Sequence, residues 1–486
     1  MGEMNPPKAF RVVAAILGAV LISLPLPAIA ASRRVPNIEI KPKQAFIDER
    51  VKIILRGFPA KQLVTVRVCT SNFHGHAWTS HAVFLSDRHG RVDLSTQAPI
   101  SGTYQHADAG GMFWSMSWSA EEGLAPGSAR ENLEPANFQV TAEVNGQAVA
   151  AANFQRLLVA PGVERIPVHD GKLRGILFVP PGKSPHPGII VLGGSEGGVS
   201  ELNAAFLASK GYAALALAYF SYEDLPPSLD NIPLEYFEAA INWLGSRPEV
   251  RHHELAVIGG SRGGELALLL GSRFPQIKAV VAMAPSGVIW GGITATEADP
   301  PQAAWTYRGQ PLPFMGFKDL TPDQQKQAGE VFHRSPFSSL PLFQLMLDHR
   351  AAVEKATIPV EKINGPVLLI SGKNDRMWPS TQFADMAMER LKQAKHLYHD
   401  RHLAYPSAGH YIPLPNLPAT VNTLVDANSK TVIALGGDPE STAAAAADAW
   451  AQIVTFLHAT FAAAPPGTTR SQPWLTSAPN ETISRF

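Results

Sequence analysis

The chain has 486 residues, more than one ordinary hydrophobic core can organise, and 45% of them are hydrophobic, enough for two domains. Its 41 basic residues balance its 41 acidic residues, and no basic run stands out, so we expect no nucleic acid partner. The single cysteine, Cys69, excludes an intramolecular disulfide bond.

Residues 1–31 have the pattern of a signal peptide for export. A positively charged start precedes an apolar segment over residues 12–24, and Ala28-Ile29-Ala30 supplies the small residues of a cleavage site. The alternative is an uncleaved membrane anchor. However, Pro25 and Pro27 break the apolar stretch, which is shorter than the roughly 20 residues of a spanning helix. We therefore expect a periplasmic or secreted protein with no membrane span after cleavage.

Residues 33–158 show short alternating segments between turn signals. The predicted strands lie at residues 52–55, 63–69, 91–94, 138–144 and 153–159. Because no helical period of useful length appears, this part of the chain predicts a β-sandwich with a structural or regulatory role.

Residues 161–464 follow a different pattern, which begins after Ala160-Pro161-Gly162. The predicted strands lie at 188–192, 212–219, 255–258, 278–284 and 366–370, and the predicted helices at 204–209, 233–244 and 265–270. Strands alternating with helices predict a largely parallel sheet covered on both faces. The proline-rich excursion from Pro285 to Pro359 has little periodicity and is expected to form a lid or pocket wall. Residues 465–486 are expected to be a loose tail.

The most informative motif is Gly259-Gly260-Ser261-Arg262-Gly263, which lies between the strand 255–258 and the helix 265–270. This is the strand, sharp turn and helix of a nucleophile elbow. A turn that lifts a serine hydroxyl above the sheet leaves no room for flanking Cβ atoms, hence the glycines. The bare pentapeptide is also compatible with an ordinary glycine turn.

A serine needs a neighbouring base and an acid that orients the base, and in this architecture the chain order is serine, acid, histidine. Asp375 directly follows the strand 366–370, and His410 lies in the loop 405–411. Taken singly, each residue could be an ordinary surface side chain. Together with the elbow they predict a catalytic triad of Ser261, Asp375 and His410. The weaker candidates for acid and base are Asp348, Asp400 and His399.

Two backbone N–H groups usually stabilise the oxyanion of an acyl transfer. We expect one from Arg262, directly after the serine, and the other from the glycine-rich turn around Gly194 and Ser195. A phosphate-binding loop is the competing interpretation of that turn, but its spacing fits neither G-x-G-x-x-G nor a loop ending in Gly-Lys-Ser.

No metal or other cofactor is expected. His74 and His76 could share one face of a strand, but the sequence offers no third ligand cluster. Glu265, one turn into the helix after Ser261, is expected to complement the helix N-terminus or a neighbouring cation rather than to act as a second base.

With these residues assembled, the chain resembles the acyl-CoA thioesterase and bile acid-CoA:amino acid N-acyltransferase family over nearly all of the mature sequence. The segments that carry the resemblance are residues 90–94 (GRVDL), 178–182 (FVPPG), 216–226 (ALAYFSYEDLP), 234–239 (LEYFEA), 260–266 (GSRGGEL) and 409–412 (GHYI). The resemblance implies an N-terminal immunoglobulin-like β-sandwich, a C-terminal α/β-hydrolase domain and a serine, aspartate and histidine triad at Ser261, Asp375 and His410. Serine in place of cysteine at the nucleophile implies hydrolysis rather than transfer.

The predicted export departs from this family, whose familiar members act on coenzyme A thioesters inside cells. The leading hypothesis is therefore an acyl thioester or ester hydrolase that needs no cofactor and uses a serine acyl-enzyme. One alternative is transfer of the acyl group to an amine or alcohol. The other is a non-catalytic binding protein of the cell envelope on a hydrolase scaffold, and retention of all three triad residue types disfavours it.

Overall fold

The computed structural model describes residues 35–73, 76–118, 133–182, 185–294, 302–332, 334–425 and 431–462. The predicted signal peptide, the predicted tail, and His74 of the weighed metal pair lie outside the described residues.

The N-terminal part of the chain is built from strands. Its elements are β1 (Asn37–Lys41), β2 (Gln44–Phe46), β3 (Lys52–Arg56), β4 (Leu63–Phe73), β5 (His76–Leu85), β6 (Val92–Asp93), β7 (Ser101–Gly102), α1 (Gly111–Trp114), β8 (Ser117–Trp118), β9 (Ala136–Val144) and β10 (Gln147–Leu157). One sheet has the order β1-β3-β6, and a larger one has the order β2-β10-β9-β4-β5-β7, with β8 also paired to β5. Alternate residues of β9 are buried, as expected for a strand with one face on a core.

The predicted strands of this part match β3, β4, β6 and β9 in position, whereas β10 begins earlier than predicted, at Gln147. Strand β5 has no counterpart among the predictions. The polar Ser80 lies on its buried face, where the Ser80 hydroxyl donates a hydrogen bond to the Met112 carbonyl at 2.6 Å. A hydrogen bond of this kind offsets the cost of burying a hydroxyl. The buried serine, however, interrupts the alternation of apolar and polar residues by which sequence analysis finds a strand.

Strands and helices alternate after residue 160. The first of these elements are β11 (Glu164–Asp170), β12 (Leu173–Val179), β13 (His186–Leu192), α2 (Glu201–Ser209), β14 (Ala213–Ala218), β15 (Ile232–Pro233), α3 (Leu234–Gly245), β16 (Val250–Gly260), α4 (Arg262–Arg273) and β17 (Ile277–Met283). They are followed by β18 (Trp305–Tyr307), β19 (Gln310–Pro311), α5 (Pro322–Phe332), α6 (Leu340–Leu347) and α7 (Arg350–Ala356). The last are β20 (Val367–Gly372), α8 (Ser380–Gln393), β21 (Arg401–Tyr405), β22 (Thr423–Val425), β23 (Val432–Ala434) and α9 (Pro439–Ala462).

The central sheet has eight strands in the order β11-β12-β14-β13-β16-β17-β20-β21. Strands β13, β14, β16, β17, β20 and β21 run parallel, and β12 is antiparallel to both of its neighbours. This order, with β16 near its centre and α4 directly after it, is that of the α/β-hydrolase fold. The fully buried strand β14 is a continuous apolar run, and the fully buried β20 is apolar up to Ser371, as expected for a sheet covered on both faces.

The excursion between Pro285 and Pro359 has more regular structure than its sequence predicts, since it contains β18, β19 and the helices α5 to α7. Its buried residues, such as Trp290, Met315 and Leu342, share a small core with Trp378 and Phe383 from outside the excursion. Within the described part of the chain, none of the helices combines the length and the hydropathy that spanning a membrane requires.

One hydrophobic core joins the N-terminal sheets to the α/β part. Phe46 of β2 stacks on Phe206 of α2 with ring centroids 5.8 Å apart, and Phe206 meets Trp450 of α9 at 5.2 Å. Nearby, the Ala419 N–H donates a hydrogen bond to the Trp114 carbonyl of α1 at 2.9 Å. The N-terminal part of the chain therefore contacts both α2 and the loop that follows His410.

Candidate active site

Ser261 stands in a strained turn between β16 and α4. Its backbone angles, φ 55° and ψ −122°, are rare for a residue with a side chain, and such strain concentrates at functional sites. A Cβ atom at Gly259 would lie 2.2 Å from the Gly263 carbonyl oxygen, and one at Gly263 would lie 2.3 Å from the Gly193 carbonyl oxygen. Gly260, by contrast, has open space beside it. The two outer glycines of the motif are therefore the ones that sterics require.

The structure brings the three predicted triad residues into one chain of hydrogen bonds. The distance from Ser261 Oγ to His410 Nε2 is 2.9 Å, and that from His410 Nδ1 to Asp375 Oδ2 is 2.8 Å. The imidazole and the carboxylate are largely buried, with 9% and 2% of their side-chain surfaces exposed. In such a chain a serine can pass its proton to the imidazole as its oxygen attacks an electrophile, while the carboxylate stabilises the imidazolium.

The Asp375 carboxylate is fixed by the loop that follows β20. Its Oδ1 atom accepts hydrogen bonds from the backbone N–H groups of Met377, at 2.8 Å, and Trp378, at 3.1 Å. The other oxygen is thereby aimed at His410. The Trp378 indole also packs edge-on against the His410 ring, with centroids 5.8 Å apart, so one loop sets both the position of the acid and one wall around the base.

A segment that sequence analysis did not single out ties the two loops together. The Leu435 carbonyl, directly after β23, accepts hydrogen bonds from the backbone N–H groups of His410, at 2.9 Å, and Arg376, at 3.2 Å. Gly436 follows with φ +74°, and a Cβ atom there would lie 2.1 Å from the Asn374 carbonyl oxygen. The Gly436-Gly437 pair after an apolar strand was the available sequence signal, because it indicates close backbone approach.

The two predicted sources of oxyanion donors lie next to the serine. The Arg262 N–H belongs to the first turn of α4, where no carbonyl inside the helix can accept it. Gly194 is also close, since a Cβ atom on it would lie 3.3 Å from Ser261 Cβ. However, the Gly194 N–H donates a hydrogen bond to Glu196 Oε1 at 2.8 Å, and Ser195 is exposed. No motif in the sequence indicates this contact of Glu196.

The Arg262 side chain is buried and forms an ion pair one turn below the serine. Its Nε atom lies 3.5 Å from Glu265 Oε2, and its Nη2 atom donates a hydrogen bond to the Trp290 carbonyl at 3.0 Å. The Trp305 indole N–H donates to the other Glu265 oxygen at 2.8 Å. Burial raises the pKa of the Glu265 carboxyl to about 7, although Arg262 and Trp305 act in the opposite direction. Glu265 thus complements a neighbouring cation, as predicted, and ties the excursion to α4.

A second serine, histidine and aspartate chain lies at β20 and β21. Ser371 Oγ is 2.8 Å from His402 Nε2, and His402 Nδ1 is 3.0 Å from Asp385 Oδ1. Ser371 has no exposed surface, and it lies inside an extended strand rather than in a strained turn. A substrate cannot reach the Ser371 hydroxyl. These three hydrogen-bonded side chains therefore serve as an internal comparison for the triad at Ser261.

The weaker candidates for acid and base lie elsewhere. Asp400 accepts a hydrogen bond from the Val367 N–H and contacts His396, Asp348 ends helix α6, and His399 is exposed. Within the ranges that the structure describes, no three histidine, cysteine, aspartate or glutamate side chains are grouped so as to hold a metal ion.

Two family descriptions match the chain. Residues 48–170 match the acyl-CoA thioester hydrolase/BAAT N-terminal region, and residues 232–463 match the BAAT/acyl-CoA thioester hydrolase C-terminal region. Together these matches cover most of both the strand-rich part and the α/β part.

Curated relatives match along almost the same length. Acyl-coenzyme A thioesterase 1 of Mus musculus is 34% identical over 426 residues, which are 85% of this chain and 93% of that protein. Mitochondrial acyl-coenzyme A thioesterase 2 of Mus musculus is 35% identical over 425 residues, 85% of this chain and 86% of that protein. Acyl-coenzyme A thioesterase 1 of Homo sapiens is 33% identical, with 85% and 93% covered. With an α/β-hydrolase sheet and an elbow serine joined to a histidine and a buried aspartate, the chain belongs to the acyl-CoA thioester hydrolase/BAAT family.

Proposed function

We propose that the protein hydrolyses acyl-CoA thioesters through an acyl-enzyme formed on Ser261. The observation that carries the mechanism is the unbroken hydrogen-bond chain from Ser261 through His410 to Asp375. The names of the curated relatives, which are acyl-coenzyme A thioesterases, support the substrate class. The serine at the elbow supports water as the final acceptor, as the family resemblance implies.

In the first half of the reaction the Ser261 oxygen attacks the thioester carbonyl carbon, and its proton moves to His410 Nε2. Asp375 holds the imidazole so that Nδ1 carries its proton toward the carboxylate and Nε2 is free to accept. The tetrahedral intermediate then collapses, the carbon–sulfur bond breaks, and the departing sulfur takes the proton from His410. The acyl group is left as an ester of Ser261.

In the second half a water molecule gives a proton to His410 Nε2 while its oxygen attacks the ester carbonyl. Collapse of this intermediate breaks the bond to Ser261 Oγ, which recovers its proton from His410, and the carboxylic acid leaves. In both halves negative charge develops on the carbonyl oxygen. The N–H groups of Arg262 and Gly194 are the donors that we assign to that oxygen.

The proposed reaction is tested by counting products. Purified protein incubated with octanoyl-CoA or palmitoyl-CoA is expected to release one free thiol, measured with a thiol reagent, for each fatty acid detected by mass spectrometry. Adding glycine or taurine should leave this ratio unchanged and produce no N-acyl product. A dominant N-acyl product would instead establish transfer. Failure to cleave these thioesters together with turnover of p-nitrophenyl octanoate would retain the mechanism and reject coenzyme A as the leaving group.

The close approach at Gly436 leads to a prediction about alignment of the acid and the base. In Gly436→Ala the new Cβ atom meets the Asn374 carbonyl, so the backbone beside Asp375 has to shift. Misplacement of a catalytic group by about 1 Å lowers rates by up to about 100-fold. We expect kcat/KM for p-nitrophenyl octanoate to fall about 10- to 100-fold, and steady-state kinetics with a thermal unfolding scan measures it.

Gly146 supplies the matched control. It has nearly the same backbone angle, φ +77°, but no atom lies within 4 Å of an added Cβ. Gly146→Ala therefore adds the strain of a left-handed alanine, about 1 kcal/mol, without the clash. It should keep the wild-type kcat/KM. Equal losses of activity in the two variants would attribute the effect to general destabilisation and not to the loop at Asp375.

We also propose that the protein is exported and that its mature chain starts near Ala31. The charge, apolar segment and small residues of positions 1–31 support this proposal. Intact-mass measurement of the protein recovered from the periplasmic, secreted and membrane fractions of cells that express it checks this proposal, and an uncleaved N-terminus in the membrane fraction would favour the anchor instead.

The division of the chain is a further proposal. We infer an immunoglobulin-like β-sandwich over residues 33–158 and a catalytic α/β-hydrolase domain over residues 161–464. The two sheets of the N-terminal part, which contribute Ile53, Val66 and Val140 to one core, support the sandwich. An experimental structure in which the two sheets do not pack face to face would overturn it.

A further inference from the structure

The turn formed by residues 193–198 holds its backbone rigidly beside the elbow. The Tyr219 hydroxyl donates a hydrogen bond to the Gly193 carbonyl at 2.7 Å, and the Gly198 N–H donates one to the Phe220 carbonyl at 3.1 Å. Gly194 is buried within this turn. Its N–H is therefore a donor whose position the surrounding chain fixes, which is what efficient stabilisation of a developing charge requires.

The same turn lies against the first turn of α4. A Cβ atom at Gly263 would lie 2.3 Å from the Gly193 carbonyl oxygen, and one at Gly194 would lie 3.2 Å from the Gly260 carbonyl oxygen. Because the N-terminal end of a helix carries a partial positive charge, an anion beside this turn is attracted by the helix as well as by the N–H group. A tetrahedral oxyanion formed on Ser261 meets these requirements.

The Gly194 N–H already has an anionic acceptor, the carboxylate of Glu196. Its Oε1 atom accepts the Gly194 N–H at 2.8 Å, and its Oε2 atom would lie 2.7 Å from a Cβ atom added to Gly194. Glu196 itself is exposed, whereas Gly194 is buried. The carboxylate of the exposed Glu196 thus accepts a hydrogen bond from a donor whose position is fixed, the Gly194 N–H. Rotation of the Glu196 side chain into water is enough to free that N–H.

We propose that Glu196 is an internal competitor for the oxyanion site. Its carboxylate has to leave the Gly194 N–H before the carbonyl oxygen of a substrate can accept that bond, so only the fraction of molecules with Glu196 turned away reacts. The carboxylate product of hydrolysis competes for the same donor. This inference rests on the proposed function, because it requires an oxyanion on Ser261.

The competition is tested with a fluorophosphonate probe, whose phosphoryl oxygen needs the same donors and whose reaction does not depend on the natural substrate. The hydrogen bond from the Gly194 N–H goes to a charged group and is therefore stronger than one to a neutral acceptor, although the exposure of Glu196 weakens it. We therefore expect the second-order labelling rate of Glu196→Ala to rise about tenfold. Glu196→Gln, which keeps a neutral acceptor, should rise less. The inhibition constant of octanoate against p-nitrophenyl octanoate should fall in both variants.

Glu49 provides the control, since its carboxylate also accepts a backbone N–H, that of Phe46, at 2.8 Å, but in the N-terminal part of the chain. Glu49→Ala should label at the wild-type rate. Unchanged or slower labelling of a folded Glu196→Ala protein would overturn the proposal, and slower labelling would indicate that Glu196 assists the reaction. Absence of labelling in the wild-type protein would instead contradict the proposed function, so the two failures are distinguishable.

Discussion

Replacing Ser261 with alanine is expected to lower kcat for thioester and ester hydrolysis by about 10⁴-fold or more, and to abolish covalent labelling by a fluorophosphonate. The hydroxyl that lies 2.9 Å from His410 Nε2 is the attacking group of the proposed mechanism, and alanine leaves nothing to take its place. Alanine keeps the Cβ atom of Ser261 and leaves the backbone of the elbow as it is, so the fold should persist. Steady-state kinetics and mass spectrometry of the labelled protein measure both effects.

Ser371 makes this experiment specific. Its hydroxyl contacts His402 Nε2 at 2.8 Å, a geometry close to that of Ser261 and His410, but it has no exposed surface. Ser371→Ala should retain labelling and a kcat within a few fold of the wild type, at the stability cost of about 1 kcal/mol of a lost hydrogen bond. Labelling that survives in Ser261→Ala would show that the nucleophile is another residue, and peptide mapping of the label would identify it.

Asp375→Asn is expected to reduce kcat by about 10⁴-fold with little change in overall structure. Met377 and Trp378 donate their backbone N–H groups to Oδ1, so the carbonyl oxygen of the asparagine has to occupy that position. The amide NH₂ is then aimed at His410 Nδ1, which must become an acceptor. The imidazole proton then lies on Nε2, so this nitrogen can no longer accept the proton of the Ser261 hydroxyl. The pH–rate profile and kcat with p-nitrophenyl octanoate measure the loss.

Asp385→Asn makes the same change in the second chain, where Asp385 lies 3.0 Å from His402 Nδ1. That side chain is largely exposed, so the variant should fold and should keep kcat within a few fold of the wild type. An Asp375→Asn protein with near-normal kcat would contradict the role of Asp375 as the orienting acid. A loss confined to KM would point to a role in substrate binding.

Continuous apolar runs made much of the central sheet predictable. The predicted strand 188–192 lies inside β13, and the predicted strand 366–370 overlaps β20, because strands buried on both faces have few polar residues. Sequence analysis does not predict β5, because the polar Ser80 lies on its buried face. Nor does it predict the helices of the excursion, because these helices pack on one another and need only short apolar faces.

The candidate site was predictable where its chemistry is local in sequence. The elbow follows from five consecutive residues, and chain order pointed to Asp375 and His410, whose side chains the structure brings together. Their catalytic roles stay predictions. Leu435 acts through its backbone carbonyl and Glu196 through its side chain, and only the folded chain brings these acceptors to their backbone N–H donors. Nothing in their residue types indicates these contacts.

The stacking of Phe46 on Phe206, which in turn meets Trp450, has a consequence for engineering and evolution. Expressed alone, the catalytic half would present this aromatic surface to water, a patch of the kind that promotes aggregation. Trimming the gene to its hydrolase portion, or exchanging its leading half for an unrelated carrier, would require a redesigned cover for these rings. The two halves are thus constrained to be inherited, produced and altered as one cooperative unit.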